Sequence, residues 1–288
     1  MVTATAGSLP VIDAAASTPS LEIDPALTAR WLEAFLRDEL LVRRGAHNAV
    51  VGLSGGVDSA VTAFLCARAL GPEHLWAIRM PYRTSSPASL SDAQSVVEAL
   101  GCNVATIEIS DAVDGYLRHE PGSDARRRGN VMARTRMLVL FDQSVKLGAL
   151  PIGTGNKTER LLGYFTWHAD DSPPLNPLGD LFKTQVWALA RYLGVPAPIV
   201  DKAPSADLEA DQTDEADLGI SYAKADVILA SMLIGYDDEQ IASRGFALDD
   251  VRLVRRRVDG THWKRHLPTT AMLSNTAINE FYLRPVDY

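Results

Sequence analysis

Residues 48–59 read NAVVGLSGGVDS. The short apolar run Ala49-Val50-Val51 predicts a buried strand. It leads into Ser54-Gly55-Gly56-Val57-Asp58-Ser59 and then Ala60-Val61-Thr62-Ala63-Phe64-Leu65, which has helical character. The order is therefore strand, glycine turn, helix N-terminus. Paired glycines let the chain turn tightly with no Cβ in the way. Successive N–H groups then converge on an anion, and the helix dipole adds positive potential. Ser54 and Ser59 add hydroxyl donors. Asp58 is a carboxylate placed where anions bind, which makes sense if it holds Mg²⁺ carried by phosphates. The lysine of the usual P-loop is missing after Gly56. A ligand-free strand-to-helix turn is the plain alternative, and six residue types fixed in this order speak against it.

Outward from this loop, three more short apolar runs predict parallel strands: Leu75–Ile78, Asn103–Ile107 and Ala149–Ile152. Helical patterns separate them at Leu90–Leu100 and Ala125–Leu147. A further amphipathic helix precedes the loop over Asp24–Arg43, with Asp24 as cap and Pro25 in its first turn. Alternating strands and helices predict an α/β fold, a doubly wound parallel sheet flanked by helices, Rossmann-like in its layering. Ligands of such sheets bind outside the carboxyl ends of the strands. Ser54-Gly55-Gly56, Arg79-Met80-Pro81-Tyr82 and Gly153-Thr154-Gly155 all fall there. Residues 164–182 and 202–219 read as long polar loops, and long loops in a compact domain are usually functional. Helical patterns return at Tyr222–Ile234, Asp238–Arg244 and Leu248–Val258.

With 288 residues, 47% of them hydrophobic, one large domain is expected. The formal net charge of −8 argues against a surface devoted to nucleic acid. Arg126–Arg128 and Arg255–Arg257 are the dense basic runs; a solvated helix face is the plain alternative to a local basic patch for both, and the favoured reading of the second. Cys66 and Cys102 show no metal-ligand spacing, so structural zinc, iron–sulfur and a disulfide framework are not expected. No apolar run reaches membrane-spanning length. Residues 1–22 read as a flexible arm without signal-peptide character, residues 23–268 as the main domain, and 269–288 as a tail packed on the body or on a second subunit. A cytoplasmic protein is expected.

Further chemistry sits in Gly153-Thr154-Gly155-Asn156-Lys157-Thr158-Glu159. Thr154 can donate to a nucleotide. Glu159, early in the next helix, either pairs with Asp58 on Mg²⁺ or simply complements the helix N-terminus. Lys183, in Asn176–Val186, either neutralises phosphate charge or is one more surface lysine. Ser205, in Lys202–Leu208, offers another hydroxyl in a proline-fixed loop.

Ser-Gly-Gly-x-Asp-Ser resembles the pyrophosphate loop of the ATP pyrophosphatase superfamily, whose fold is adenine nucleotide alpha-hydrolase-like. The joint order SGGVDS, GTGNKTE, NPLGDLFKTQV, KAPSADL, DQTDEADLG, HWKRHLP resembles the ammonia-dependent NAD synthetase family over roughly residues 24 to 268. That resemblance implies a dimeric ligase that amidates deamido-NAD with ATP, Mg²⁺ and ammonia, the last step of NAD biosynthesis. It implies ATP held by Gly52, Leu53, Ser54, Gly55, Gly56, Val57, Asp58 and Ser59, with Arg79, Thr154, Lys183 and Ser205. It implies Mg²⁺ on Asp58 and Glu159, with these two and Lys183 carrying catalysis. Arg134 and Lys264 match positions that contact deamido-NAD.

Three positions depart from the best-known bacterial pattern, all on the deamido-NAD side. Trp167 stands in place of a lysine, Pro174 of an aspartate and Trp263 of a histidine. An archaeal-like branch of the family also lacks the first two polar residues. No glutaminase signature is visible, so free ammonia or a separate glutaminase is the expected donor. The proton acceptor for ammonia is unassigned, with Asp170 and Asp171 as candidates. Trp31, Phe35 and Leu36 on the early helix, and Met272, Leu273, Ile278, Phe281, Tyr282 and Leu283 in the tail, are expected to form a two-fold contact. The competing readings are a tRNA-modifying adenylating enzyme, a GMP synthetase-like enzyme and a nucleotide-binding module without turnover. The negative charge and the lack of a cysteine pair weigh against the first. The intact Asp58, Glu159 and Lys183 weigh against the last.

Overall fold

The computed structural model describes residues 18–205, 213–266 and 269–273. Most of the expected arm, Ala206–Leu208, and the tail positions Ile278, Phe281, Tyr282 and Leu283 lie outside the described residues. The chain opens with α1 (Pro25–Arg37), whose N-terminus is capped by Asp24 accepting from the Ala26 and Leu27 amides. Then follow β1 (Asn48–Gly52), α2 (Val57–Leu70), β2 (Leu75–Arg79), α3 (Pro87–Leu100), β3 (Asn103–Thr106), α4 (Ser110–Leu117), α5 (Ala125–Lys146) and β4 (Ala149–Ile152). After the sheet come α6 (Lys157–Leu162), α7 (Lys183–Leu193), α8 (Ala197–Val200), α9 (Asp214–Leu218), α10 (Tyr222–Leu233), α11 (Asp238–Ala242) and α12 (Leu248–Thr261).

The four strands are parallel in the order β3-β2-β1-β4. The chain starts in the middle, moves outward to β3, then returns to add β4 on the other side of β1. The mouth between β1 and β4 is thus the point where the winding reverses, the place at which such sheets bind ligands. Strand side chains alternate between two apolar layers. Ala49, Val51, Leu75 and Ala77 join one with Leu36, Leu65 and Leu189. Val50 and Ile78 join the other with Val113, Met132 and Leu140. Burial of both faces explains why the strands read as unbroken apolar runs rather than alternating ones. A third cluster, with Leu162, Phe182, Ile228 and Val254, packs α6, α10 and α12 beside the sheet.

Several boundaries differ from the sequence reading. The early helix is α-helical only to Arg37, and Asp38–Arg43 widens to π geometry. The helix expected from Leu90 begins at Pro87 because Ser86 caps it, accepting from the Ala88 amide. β3 stops at Thr106, the short helix α4 was not foreseen, and the polar stretch 202–219 contains α9, capped by Thr213. Leu36, expected at a subunit contact, is fully buried in the chain's own core, whereas Trp31 is 70% exposed. The second arginine run is not a simple solvated face, since Arg255 pairs with Asp238 and Arg257 donates to the Asp217 carbonyl. Among the described residues no helix is long and apolar enough to cross a membrane.

Removing the Leu36 side chain leaves a cavity in the core where α1 packs on α2 and α7. Leu36→Ala is expected to lose about 2–5 kcal/mol of stability, read by denaturant unfolding.

Candidate active site

The turn after β1 folds on its own polar groups. Ser59 Oγ donates to the Gly56 carbonyl at 2.9 Å, and the Ser54 and Ser59 hydroxyls lie 3.1 Å apart. The Gly56 amide donates to Ser54 Oγ at 3.2 Å. Both serines therefore shape the loop as well as offering hydroxyls. Gly55 has φ +85, and a Cβ there would come within 2.3 Å of the Ser89 carbonyl oxygen in the first turn of α3. Glycine is required here on two counts, its left-handed backbone and the close approach of α3.

Asp58 follows in the first turn of α2. Its Oδ1 accepts from Asn156 Nδ2 at 2.9 Å and its Oδ2 from Lys183 Nζ at 2.5 Å. Lys183 Nζ also lies 3.4 Å from Glu159 Oε1. Residues 98 and 125 positions from Asp58 thus meet it at the mouth between β1 and β4. Local chemistry aims each of them. Asn156 caps α6 by accepting from the Glu159 amide at 2.9 Å, and Glu159 Oε2 reciprocates by accepting from the Asn156 amide at 3.2 Å. This capping box fixes Glu159 at the start of α6. Asn176 Nδ2 donates to the Gly155 carbonyl at 2.8 Å and supports the turn carrying Thr154.

Lys183 is only 2% exposed, so it is no surface lysine. Its ammonium lies 5.1 Å from the centre of the Tyr222 ring. Tyr222 in turn donates to Asp214 Oδ2 at 3.0 Å, and Tyr164 donates to both Asp214 and Asp217. Burial alone would lower the lysine's pKa, but Asp58 and Glu159 overcome it and hold the ammonium above its ordinary range. For Glu159, desolvation and the facing Asp58 outweigh Lys183 and push its carboxyl up to about 8.

The remaining predicted positions make contacts of their own. Arg79, at the end of β2, donates to Thr106 and Gln94. Ser205 lies three residues after Lys202, which donates to Ser89 and Asp92 of α3, beside the glycine loop. Arg134 on α5 donates to the Trp167 carbonyl at 3.1 Å. Lys264 does not project freely; it donates to the Gly163 and Phe165 carbonyls, both at 2.8 Å. Two of the unusual residues meet, with the Trp167 and Trp263 rings edge-on at 5.1 Å. Asp170 accepts from the Thr166 amide at 2.7 Å and so braces its own loop. Asn156, Tyr222, Asp214 and Asp226 were not singled out from sequence. The Asn-x-x-Glu spacing of a capping box was the available signal for the first.

A parallel sheet with a glycine loop, two carboxylates and a buried lysine at its switch point defines a nucleotide-binding α/β protein of the adenine nucleotide alpha-hydrolase-like class. Within that class the chain belongs to the NAD synthase family, whose pattern it matches over residues 28–268. An NH(3)-dependent NAD(+) synthetase of Trichlorobacter lovleyi is 47% identical over 260 residues, covering 90% of this chain and 95% of the relative. The NH3-dependent NAD synthetase of Campylobacter jejuni superposes with a TM-score of 0.75 at 29% identity, covering 87% of this chain and all of that one. An NMN synthetase structure from Francisella tularensis gives a TM-score of 0.78 at 31% identity, covering 87% and 99%.

A carboxyl raised in the folded state binds a proton that the unfolded chain has released. Its contribution to stability is complete below the ordinary carboxylate value of 4.5 and is lost as pH climbs toward about 8. Glu159→Gln removes that loss. Without divalent cations, the variant's melting temperature should exceed the wild type's by a margin that widens over this window, to roughly 2–4 °C per kcal/mol recovered.

Proposed function

We propose that the protein amidates the nicotinate carboxylate of deamido-NAD to give NAD, with ATP as co-substrate and ammonia as nitrogen donor. The observation that carries this reading is the convergence of Asp58, Glu159 and Lys183 beside the glycine loop. Kinship with NH(3)-dependent NAD(+) synthetases supports it. A carboxylate does not react with ammonia directly, because oxide is too poor a leaving group. A carboxylate oxygen attacks the α-phosphorus of ATP, the bond to the β-phosphate oxygen breaks, and pyrophosphate leaves. Ammonia then adds to the acyl carbon of the adenylate, the bond to AMP breaks, and the nitrogen gives up a proton to become the amide. Both steps gather negative charge in one place, so the protein's task is to spread it.

In this reading Gly52 to Ser59 bind the phosphates through backbone N–H groups and hydroxyls. Arg79, Thr154 and Ser205 complete the ATP site, and Arg134 and Lys264 face deamido-NAD. Asp58 and Glu159 would hold Mg²⁺. Their fit rests on donor chemistry: two oxygen ligands converge on a point already occupied by an ammonium. Among the described residues no group of three or more His, Cys, Asp or Glu could hold a metal alone. That suits an ion that takes most of its ligands from phosphate and water. Bound there, Mg²⁺ supplies charge neutralisation and polarisation at the phosphates. Lys183 keeps its proton and faces the charge that develops on pyrophosphate. A cytoplasmic homodimer, with residues 23–268 as the catalytic domain, completes the proposal.

Arg134 shares one face of α5 with Leu138, Phe141 and Val145, of which Leu138 is 69% and Val145 84% exposed. Two-fold pairing of α5 would cover this stripe and set Arg134 near the partner.

With ATP, Mg²⁺, ammonium and deamido-NAD, mass analysis should find NAD, AMP and pyrophosphate. ADP and phosphate would defeat the reading, and preferential turnover of nicotinate mononucleotide would move the substrate. Asp58→Asn should fold and lose at least about a hundredfold in kcat, the scale of removing one transition-state electrostatic contact. Sedimentation should give a dimer for the wild type and a monomer for Leu138→Glu. A wild-type monomer with full activity would sink the dimer.

A further inference from the structure

Asp226 lies on α10, four residues after Tyr222, and is fully buried. Its two oxygens face different helices. Oδ1 accepts from Thr158 Oγ1 at 2.5 Å. Oδ2 accepts from the Thr184 amide at 2.9 Å and from Thr184 Oγ1 at 2.7 Å. Thr158 Oγ1 itself accepts from the Lys183 amide at 3.0 Å. Thr158 is the second residue of α6 and precedes Glu159. Thr184 is the second residue of α7 and follows Lys183. One carboxylate therefore staples together the first turns of the two helices whose adjacent residues meet Asp58. The position also suits an anion, because helix N-termini present unsatisfied N–H groups and positive potential.

We propose that Asp226, acting through Thr158 and Thr184, is the positioning residue that sets the spacing of Glu159 and Lys183 about Asp58. The proposal rests on the reading that these three form the cation and phosphate site. It assigns Asp226 no contact with substrate. The Lys157 amide donates to the Leu181 carbonyl at 2.8 Å and ties α6 to the end of the loop before α7, and Asp226 adds the bonds that hold the two helices at Thr158 and Thr184. Asn156 fixes Glu159 relative to Asp58 but makes no bond to α7. Loss of the staple should let α6 and α7 shift relative to each other. The site would then hold its cation poorly while the dinucleotide side, built around Arg134 and the 163–167 loop, stays as it is.

The test compares Thr158→Val and Thr184→Val with the hydroxyl-retaining Thr158→Ser and Thr184→Ser. Asp226→Asn and, as a control, Asp58→Asn complete the set. Two readouts are taken on full-length protein. One is the Mg²⁺ dependence of pyrophosphate release, with kcat and the KM for deamido-NAD separated. The other is Mn²⁺ affinity by electron paramagnetic resonance in the presence of a non-hydrolysable α,β-methylene ATP analogue. Each valine variant should weaken the cation by about tenfold and lower kcat, the scale of one lost hydrogen bond to a charged group. The KM for deamido-NAD should hold, and each serine variant should return to near the wild-type values. Equal cation affinity in the valine variants and the wild type overturns the proposal. So does a serine variant as impaired as its valine counterpart, or a fall in every parameter that tracks melting temperature alone. If Asp58→Asn itself binds Mn²⁺ like the wild type, the underlying reading of the site fails and the proposal falls with it. If Asp58→Asn loses the cation and the valine variants keep it, only the role of Asp226 fails.

Discussion

The ammonium of Lys183 is the constraint around which the molecule is arranged. An isolated charge taken out of water at this depth would lose its proton rather than pay the desolvation. Here two carboxylates face it from different directions, and the ring of Tyr222 lies beneath it. None of the three charged groups is comfortable without the others. Asp58 and Glu159 would repel across the mouth of the sheet if the lysine left, and Glu159 already resists ionisation. The site is thus poised to exchange charges. A polyphosphate and its counter-ion bring matching charge of both signs into the same place.

That arrangement uses the sheet's switch point and a second, sequence-distant layer of helices. β1 and β4 deliver the glycine turn and the Gly153-Thr154-Gly155 turn side by side. The third apolar cluster then brings α10 against α6 and α7. The carboxy-terminal turn after α12 acts on the same loop from the other side. Lys264 holds the Gly163 and Phe165 carbonyls, and Arg265 holds the Leu161 carbonyl at 2.8 Å. Gly163 has no room for a side chain, since a Cβ would lie 2.3 Å from that of Thr261. The Trp167–Trp263 contact belongs to this clamp. Two of the departures from the bacterial pattern that this sequence resembles, Trp167 and Trp263, are thus in contact with each other.

What could be read from the sequence follows from how local each signal is. The glycine turn, its strand and its helix are contiguous, so their chemistry shows in twelve residues. Asp24 and Pro25 announced a helix start for the same reason. Glu159 and Lys183 looked ambiguous alone because each is an ordinary residue at a helix start, and their meaning lies in a partner more than a hundred positions away in one case. Asp226 was invisible, being an acidic residue inside an otherwise apolar helix with both partners on other elements. The exposed side of α5 was silent for a different reason. Leu138, Phe141 and Val145 are apolar but face outward, while Gln143 and Ser144 are buried. A pattern with apolar groups on both sides carries no information about which side meets the core. Leu36 shows the converse, an apolar residue next to the exposed Phe35 that the fold turns inward.

The placement of Asp58, Glu159 and Lys183 along the chain also has a consequence for how the protein is made. On the ribosome the two acidic members emerge first, and the lysine follows only after the long loop that precedes α7. Until then the first turns of α2 and α6 bring two carboxyl groups to one mouth with no ammonium between them. α7 and then α10 must follow before the helix starts are tied together. A chain interrupted before α7 therefore holds the glycine turn and α6 without the ammonium that joins Asp58 to Glu159.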